Sequence, residues 1–193
     1  NGYLVVRVKM SAFIITLASY IWVRGLVLVI SGGRSAQDLA PAIRWFGIQR
    51  LIGLPLTAWI AIACFVVFSL IMARTPFGRH LKMIGGNEQA TYRAGIRVTR
   101  NLVIAFVMAG AIAGLAGWLL CIRTSGATAN LGVGLLFNAF AAVVIGGVSL
   151  KGGVGALPGV YAGVLLLSSI NTAINLMGLP ANFTQVIHGL LVL

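Results

Sequence analysis

Side chains able to do acid, base, nucleophilic or metal chemistry are few and scattered. Among 193 residues the only carboxylates are Asp38 and Glu88, which fall in different polar stretches. His80 lies in a basic segment, and His188, in an apolar one, has no neighbour suited to sharing a metal. Cys64 and Cys121 sit in apolar runs, where small buried thiols are the plain reading and no disulfide framework arises. General acid–base catalysis needs groups that converge on one proton, and metal sites need clustered ligands; neither pattern occurs. Lys151 precedes the glycines of 152–155 instead of following them, so a phosphate loop is not supported. The expectation is a non-enzyme with no metal and no cofactor.

Polar groups inside apolar segments are more informative. Ser168, Asn171 and Asn175 follow three- and four-residue spacing and share one helix face, with Tyr161 seven residues before Ser168. Such a stripe is unfavourable against lipid, so it must face protein or water. Two readings follow: hydrogen bonding between helices, or the lining of a path that binds a hydroxyl-rich solute. Asn138 is a second candidate of the same kind.

The elements that would carry these groups are membrane spans. The chain is 60% hydrophobic and 8% charged, against about 25% charged in soluble domains. Its net charge of +12 would suit a nucleic-acid binder, but long apolar runs separate the charges. Excess Lys and Arg in short loops is the ordinary device that orients a membrane protein. An all-α, polytopic integral membrane protein is therefore expected, as a single transmembrane domain over 1–193. The spans are read at 11–30, 54–72, 101–121, 132–148 (a full span or a re-entrant half-helix), 158–177 and 181–193, the last cut short by the chain end. Both ends look cut from a longer chain.

Arg24 in the first span costs about 3 kcal/mol near mid-membrane, which eleven Phe, Ile, Leu and Val residues in 11–30 offset at roughly 0.3 to 0.6 kcal/mol each. Residues 35–53, with Trp45 and Phe46, are read as a short helix on the membrane surface. In 73–100, Arg74, Arg79, Lys82, Arg93, Arg97 and Arg100 face Glu88 alone, six cations against one acid or +5. That excess places the loop in the cytoplasm. Arg34, Arg44 and Arg50 on the other side oppose this placement, at lower density and beside Asp38. Gly110 and Gly114 in one span, and Gly155, Gly159 and Gly163 at the next but one, form small-residue ridges expected to serve helix packing.

Several stretches together resemble a known family. Arg74-Thr75-Pro76-Phe77-Gly78-Arg79, then Gly85-Gly86-Asn87-Glu88-Gln89-Ala90 and Ala94-Gly95-Ile96, resemble the cytoplasmic coupling region of ATP-binding-cassette importer permeases. Ala12 to Gly25, Ile30 to Arg34, and Ala141 to Gly147 agree in order. The likeness is to the ribose/xylose/galactose group, within the superfamily shared with branched-chain amino-acid permeases. It implies a multi-pass subunit of the bacterial inner membrane that translocates a monosaccharide. The implied partners are a second permease subunit, cytoplasmic ATP-binding subunits, an extracytoplasmic solute-binding protein and the lipid bilayer, with no nucleic acid. ATP hydrolysis would belong to the partner.

The resemblance also implies a short coupling helix on the cytoplasmic face. Asn87 to Gly95 fit it, with Gly86 and Gly95 as limits, Asn87 as N-cap, Ala90 and Ala94 as a flat face, and Glu88, Gln89 and Arg93 as its polar groups. Where many sugar permeases carry acids, this chain has Leu135 and Asn138, which leaves the particular sugar open. Importers of an amino acid, nucleoside or other small solute, and a channel-like or structural membrane protein without an ATPase, are the alternatives.

Overall fold

A computed structural model describes residues 1–35, 47, 49–128 and 130–178. Helix α1 (Gly2–Val8) leads to α2 (Ala12–Ser31). A two-residue hairpin, β1 (Arg50–Leu51) and β2 (Leu54–Pro55), runs directly into α3 (Leu56–Arg74). Then come α4 (Pro76–Gly86), α5 (Glu88–Arg93), α6 (Val98–Thr124), α7 (Leu135–Ile145) and α8 (Leu157–Leu176). Four of these, α2, α3, α6 and α8, are long and apolar enough to cross a membrane. The protein is an all-α polytopic membrane protein apart from that hairpin.

The helix edges follow local chemistry. Paired glycines end α2, with Gly32 in the left-handed region. Thr75 is held extended before Pro76, so α3 stops at Arg74 and α4 starts at Pro76, with proline in its first turn. At 27 residues α6 is about 40 Å long, more than the roughly 30 Å hydrocarbon core. It begins three residues earlier and ends three later than the apolar run, because Val98, Thr99 and Arg100 continue the helix beyond the hydrophobic stretch.

The hairpin replaces the described end of the surface helix expected over 35–53. Ile52 and Gly53 both have positive φ, 53° and 79°, the two-residue turn that matches strand twist. Trp59 Nε1 donates to the Leu51 carbonyl at 3.0 Å and fixes the hairpin to the start of α3. Pro55, which cannot donate to a ladder, sits in a two-residue strand where little pairing is lost. Asp38, Arg44, Trp45 and Phe46, and the span expected at 181–193 with His188, lie outside the described residues.

The chain divides into two compact units, residues 1–67 with 97–132, and 68–96 with 133–193. In the first, α1 packs on α6, and Gly2 sits where a side chain would collide with Phe106. Arg24 Nη2 donates to Asn130 Oδ1 at 2.9 Å, while its Nε is shielded without a partner among the described residues. The sequence sets only the apolar residues of 11–30 against the cost of this arginine; the fold supplies a polar partner 106 residues away. In the second unit α7 packs on α8, and α4 and α5 are in contact.

Candidate functional site

Two features of the second unit carry the residues singled out from the sequence, and one contact joins them. The first is the succession from α3 through α4 to α5. Thr75 Oγ1 donates to the Ile71 carbonyl at 2.6 Å and accepts from the Gly78 amide at 3.5 Å, so one hydroxyl serves both sides of the corner. Gly78 is buried against the carbonyl of Met72, leaving no room for a side chain. The bend between the span and α4 is thus closed backbone to backbone.

Asn87 forms the next joint. It ends α4, its amide bonding to the Met83 carbonyl, and opens α5, its Oδ1 accepting from the Ala90 amide at 2.9 Å. Thr91 is 3% exposed, and its hydroxyl donates to the Asn87 carbonyl at 2.7 Å. Gly95, at φ 81°, closes the helix as the Ile96 amide bonds back to the Thr91 carbonyl at 3.3 Å. Glu88, Gln89, Ala90, Arg93 and Ala94 are all exposed, as is Tyr92. The six-residue α5 therefore offers an ordered face of mixed charge, held from beneath by Thr91.

The second feature is the seam between α7 and α8. The Gly159 and Gly163 positions abut the carbonyls of Gly146 and Ala142, and a side chain on Gly146 would lie 2.6 Å from the Val160 Cα. Gly155 stands against the Val148 side chain. Small residues here let two backbones meet. Further along, Ala141, Ala142 and Leu167 are buried together, with Ile145 beside them. Two antiparallel helices that meet at 146 and 159, then at 142 and 163, carry Asn138 and Asn171 toward the same end of the seam.

Asn171 is half-buried there, and its Oδ1 is shielded with no hydrogen-bond partner among the described residues. Asn138 is also half-buried, while Ser168 and Asn175 are exposed at the rim, each next to a buried residue, Leu167 and Ile174. The stripe read from sequence thus has one member inside the seam and two on its edge. Gly110 and Gly114 differ from the seam glycines, since among the described residues nothing lies within 4 Å of a side chain added at either.

The two features touch through four glycines. A side chain on Gly152 would come within 2.8 Å of the Gly85 carbonyl, and one on Gly153 within 2.9 Å of the Gly86 Cα. Both Gly152 and Gly153 also need positive φ, 90° and 78°. The turn that carries them is closed by Ser149 and Val154, amide to carbonyl at 2.9 Å. The C-terminus of α4 therefore rests on the turn between α7 and α8. The Gly-Gly pairs are visible in the sequence, but no local pattern says that they meet.

The whole chain, residues 1–193, matches the profile of a family described as branched-chain amino acid transport system / permease component. The chain belongs to that permease family. This permease is 36% identical over 193 residues to the L-arabinose transport system permease protein of Escherichia coli. It is 37% identical over 195 residues to the ribose import permease protein of Bacillus subtilis, and 34% over 197 to that of Escherichia coli. All of this chain is covered in each case, but 59% of the arabinose permease and 61% of each ribose permease. The permease chain thus spans about three fifths of the length of these relatives. No solved structure matches it.

Proposed function

We propose that this chain is the larger part of the transmembrane subunit of an ATP-binding-cassette importer, moving a monosaccharide across a bacterial inner membrane. The observation that carries the proposal is the similarity of the entire chain to permeases named for arabinose and ribose. The fold supports it with an ordered, exposed α5 that suits a protein partner and a shielded, unpaired Asn171 acceptor in a span. An unpaired acceptor costs about 1–3 kcal/mol, which a solute hydroxyl would offset.

In this reading α5, with Gly86, Asn87 and Gly95 as its limits, enters the cytoplasmic ATP-binding subunit. Asn138, Ser168, Asn171 and Asn175 border the solute path. Hydrolysis of ATP belongs to the partner, and alternating access is driven through α5 without covalent chemistry in this chain. A solute-binding protein on the outer side delivers the sugar.

The family's own description favours a second reading, a branched-chain amino acid as cargo. Uptake by the complete permease, co-reconstituted with its ATPase and binding protein, separates the two. We expect ATP-dependent accumulation of radiolabelled arabinose or ribose and none of leucine. Leucine uptake without pentose uptake would establish the amino-acid reading instead.

A further inference from the structure

The outer face of α4 is not used by the functional reading, yet its composition is unusual for a surface turned to water. Arg79, Lys82 and Met83 lie at three- and four-residue spacing and are all exposed, opposite half-buried Phe77 and Leu81 and buried Ile84. Arg74, in the last turn of α3, is exposed two residues before the helix starts. The glycine contact adds a fourth cation that sequence order does not suggest. Because Gly152 and Gly153 rest on Gly85 and Gly86, exposed Lys151 stands at the C-terminal end of α4. Next to it, Leu150 is 68% exposed. No acid occurs between Asp38 and Glu88, so no carboxylate on this segment neutralises the cluster.

Position narrows the occupant. A helix separated from a membrane span by a single residue, with its first turn pressed on the span's last, lies at the bilayer interface. Exposed apolar side chains among cations are what an interfacial segment needs, since the apolar groups enter the acyl boundary while the cations meet phosphate. Arginine binds phosphate oxygens through paired donors. We propose that Arg74, Arg79, Lys82 and Lys151 form a binding surface for the headgroups of anionic phospholipid, with Met83 and Leu150 at the lipid boundary.

The test uses the complete permease, purified in neutral detergent without its ATPase, and a fluorescent short-chain phosphatidylglycerol. Each cation at an anionic surface contributes a factor of roughly five, so Arg79→Gln, Lys82→Gln and Lys151→Gln together weaken binding on the order of 100-fold. Lys151→Gln alone, on an exposed turn, weakens it roughly fivefold and serves if the triple variant does not fold. Arg79→Lys with Lys151→Arg keeps near-wild-type affinity. Short-chain phosphatidylcholine does not bind comparably, and millimolar inorganic phosphate does not displace the probe. The proposal is overturned if the glutamine variants bind phosphatidylglycerol as wild type does, or if phosphatidylcholine binds equally. Displacement by inorganic phosphate would overturn it in favour of a free-anion site. Loss of the ATPase from the triple variant with lipid binding unchanged would assign the face to that protein.

Discussion

At the scale of single residues, Asn171 and Asn87 carry the most specific chemistry. Asn171 holds a shielded acceptor in a span, and Asn87 satisfies a helix start from its own side chain. Replacing Asn171 and Asn175 with Leu is expected to cut uptake about tenfold, as the loss of one hydrogen bond near 1.4 kcal/mol would. Complex assembly, followed by co-purification, should be unchanged. Equal uptake by the variant would return the stripe to simple helix packing. Removing the cap with Asn87→Ala costs about 1 kcal/mol, and hydrogen exchange at the Ala90 amide should quicken roughly fivefold. Asn87→Asp should restore it. The capping role of Asn87 was legible because asparagine directly after the Gly85-Gly86 pair favours a helix start. Burial of Thr91 was not, since a threonine in a polar loop gives no sign of what covers it.

At the scale of elements, backbone contact sets the geometry. Gly146, Gly159 and Gly163 close the α7–α8 seam, while Gly110 and Gly114 meet nothing within 4 Å among the described residues. Gly163→Ala should therefore lower the thermal unfolding midpoint in detergent, with an overpacking cost of about 1–3 kcal/mol. Gly110→Ala should leave the midpoint equal or higher, because alanine favours helix by about 1 kcal/mol over glycine. A larger loss at Gly110 than at Gly163 would show that the seam does not hold the unit. Sequence periodicity gave both ridges equal standing, because spacing reports a surface of small residues and not what lies across from it. The hairpin at 50–55 escaped notice for a related reason. Its turn uses Ile52 at positive φ, which a β-branched residue rarely adopts and no turn rule predicts. The separate helix α4 was hidden inside the basic loop, although Thr75-Pro76 marks its start.

At the scale of the whole molecule, hydropathy made the four long spans legible within three residues at each end, since lipid permits only helices of that length. Family membership was legible because several motifs occur in order along the entire chain. Contacts distant in sequence were not, and these bring Arg24 to Asn130 and the glycine turn at 152–153 to the end of α4. The proposed mechanism depends on α5 being the place where a cytoplasmic ATPase engages. Glu88 is the better probe of that claim than Gly95, since a side chain at Gly95 would strain a backbone at φ 81° and confuse docking with folding. Glu88 is exposed in the first turn and makes none of the capping bonds, so reversing its charge costs α5 only about 1 kcal/mol of helix-dipole interaction. The decisive measurement is co-purification of the ATPase with the complete permease carrying Glu88→Arg, beside wild type and Glu88→Gln. The account predicts that Arg abolishes recovery of the ATPase while Gln lowers it only a few-fold, with the permease itself folded; full recovery with the Arg variant would contradict it.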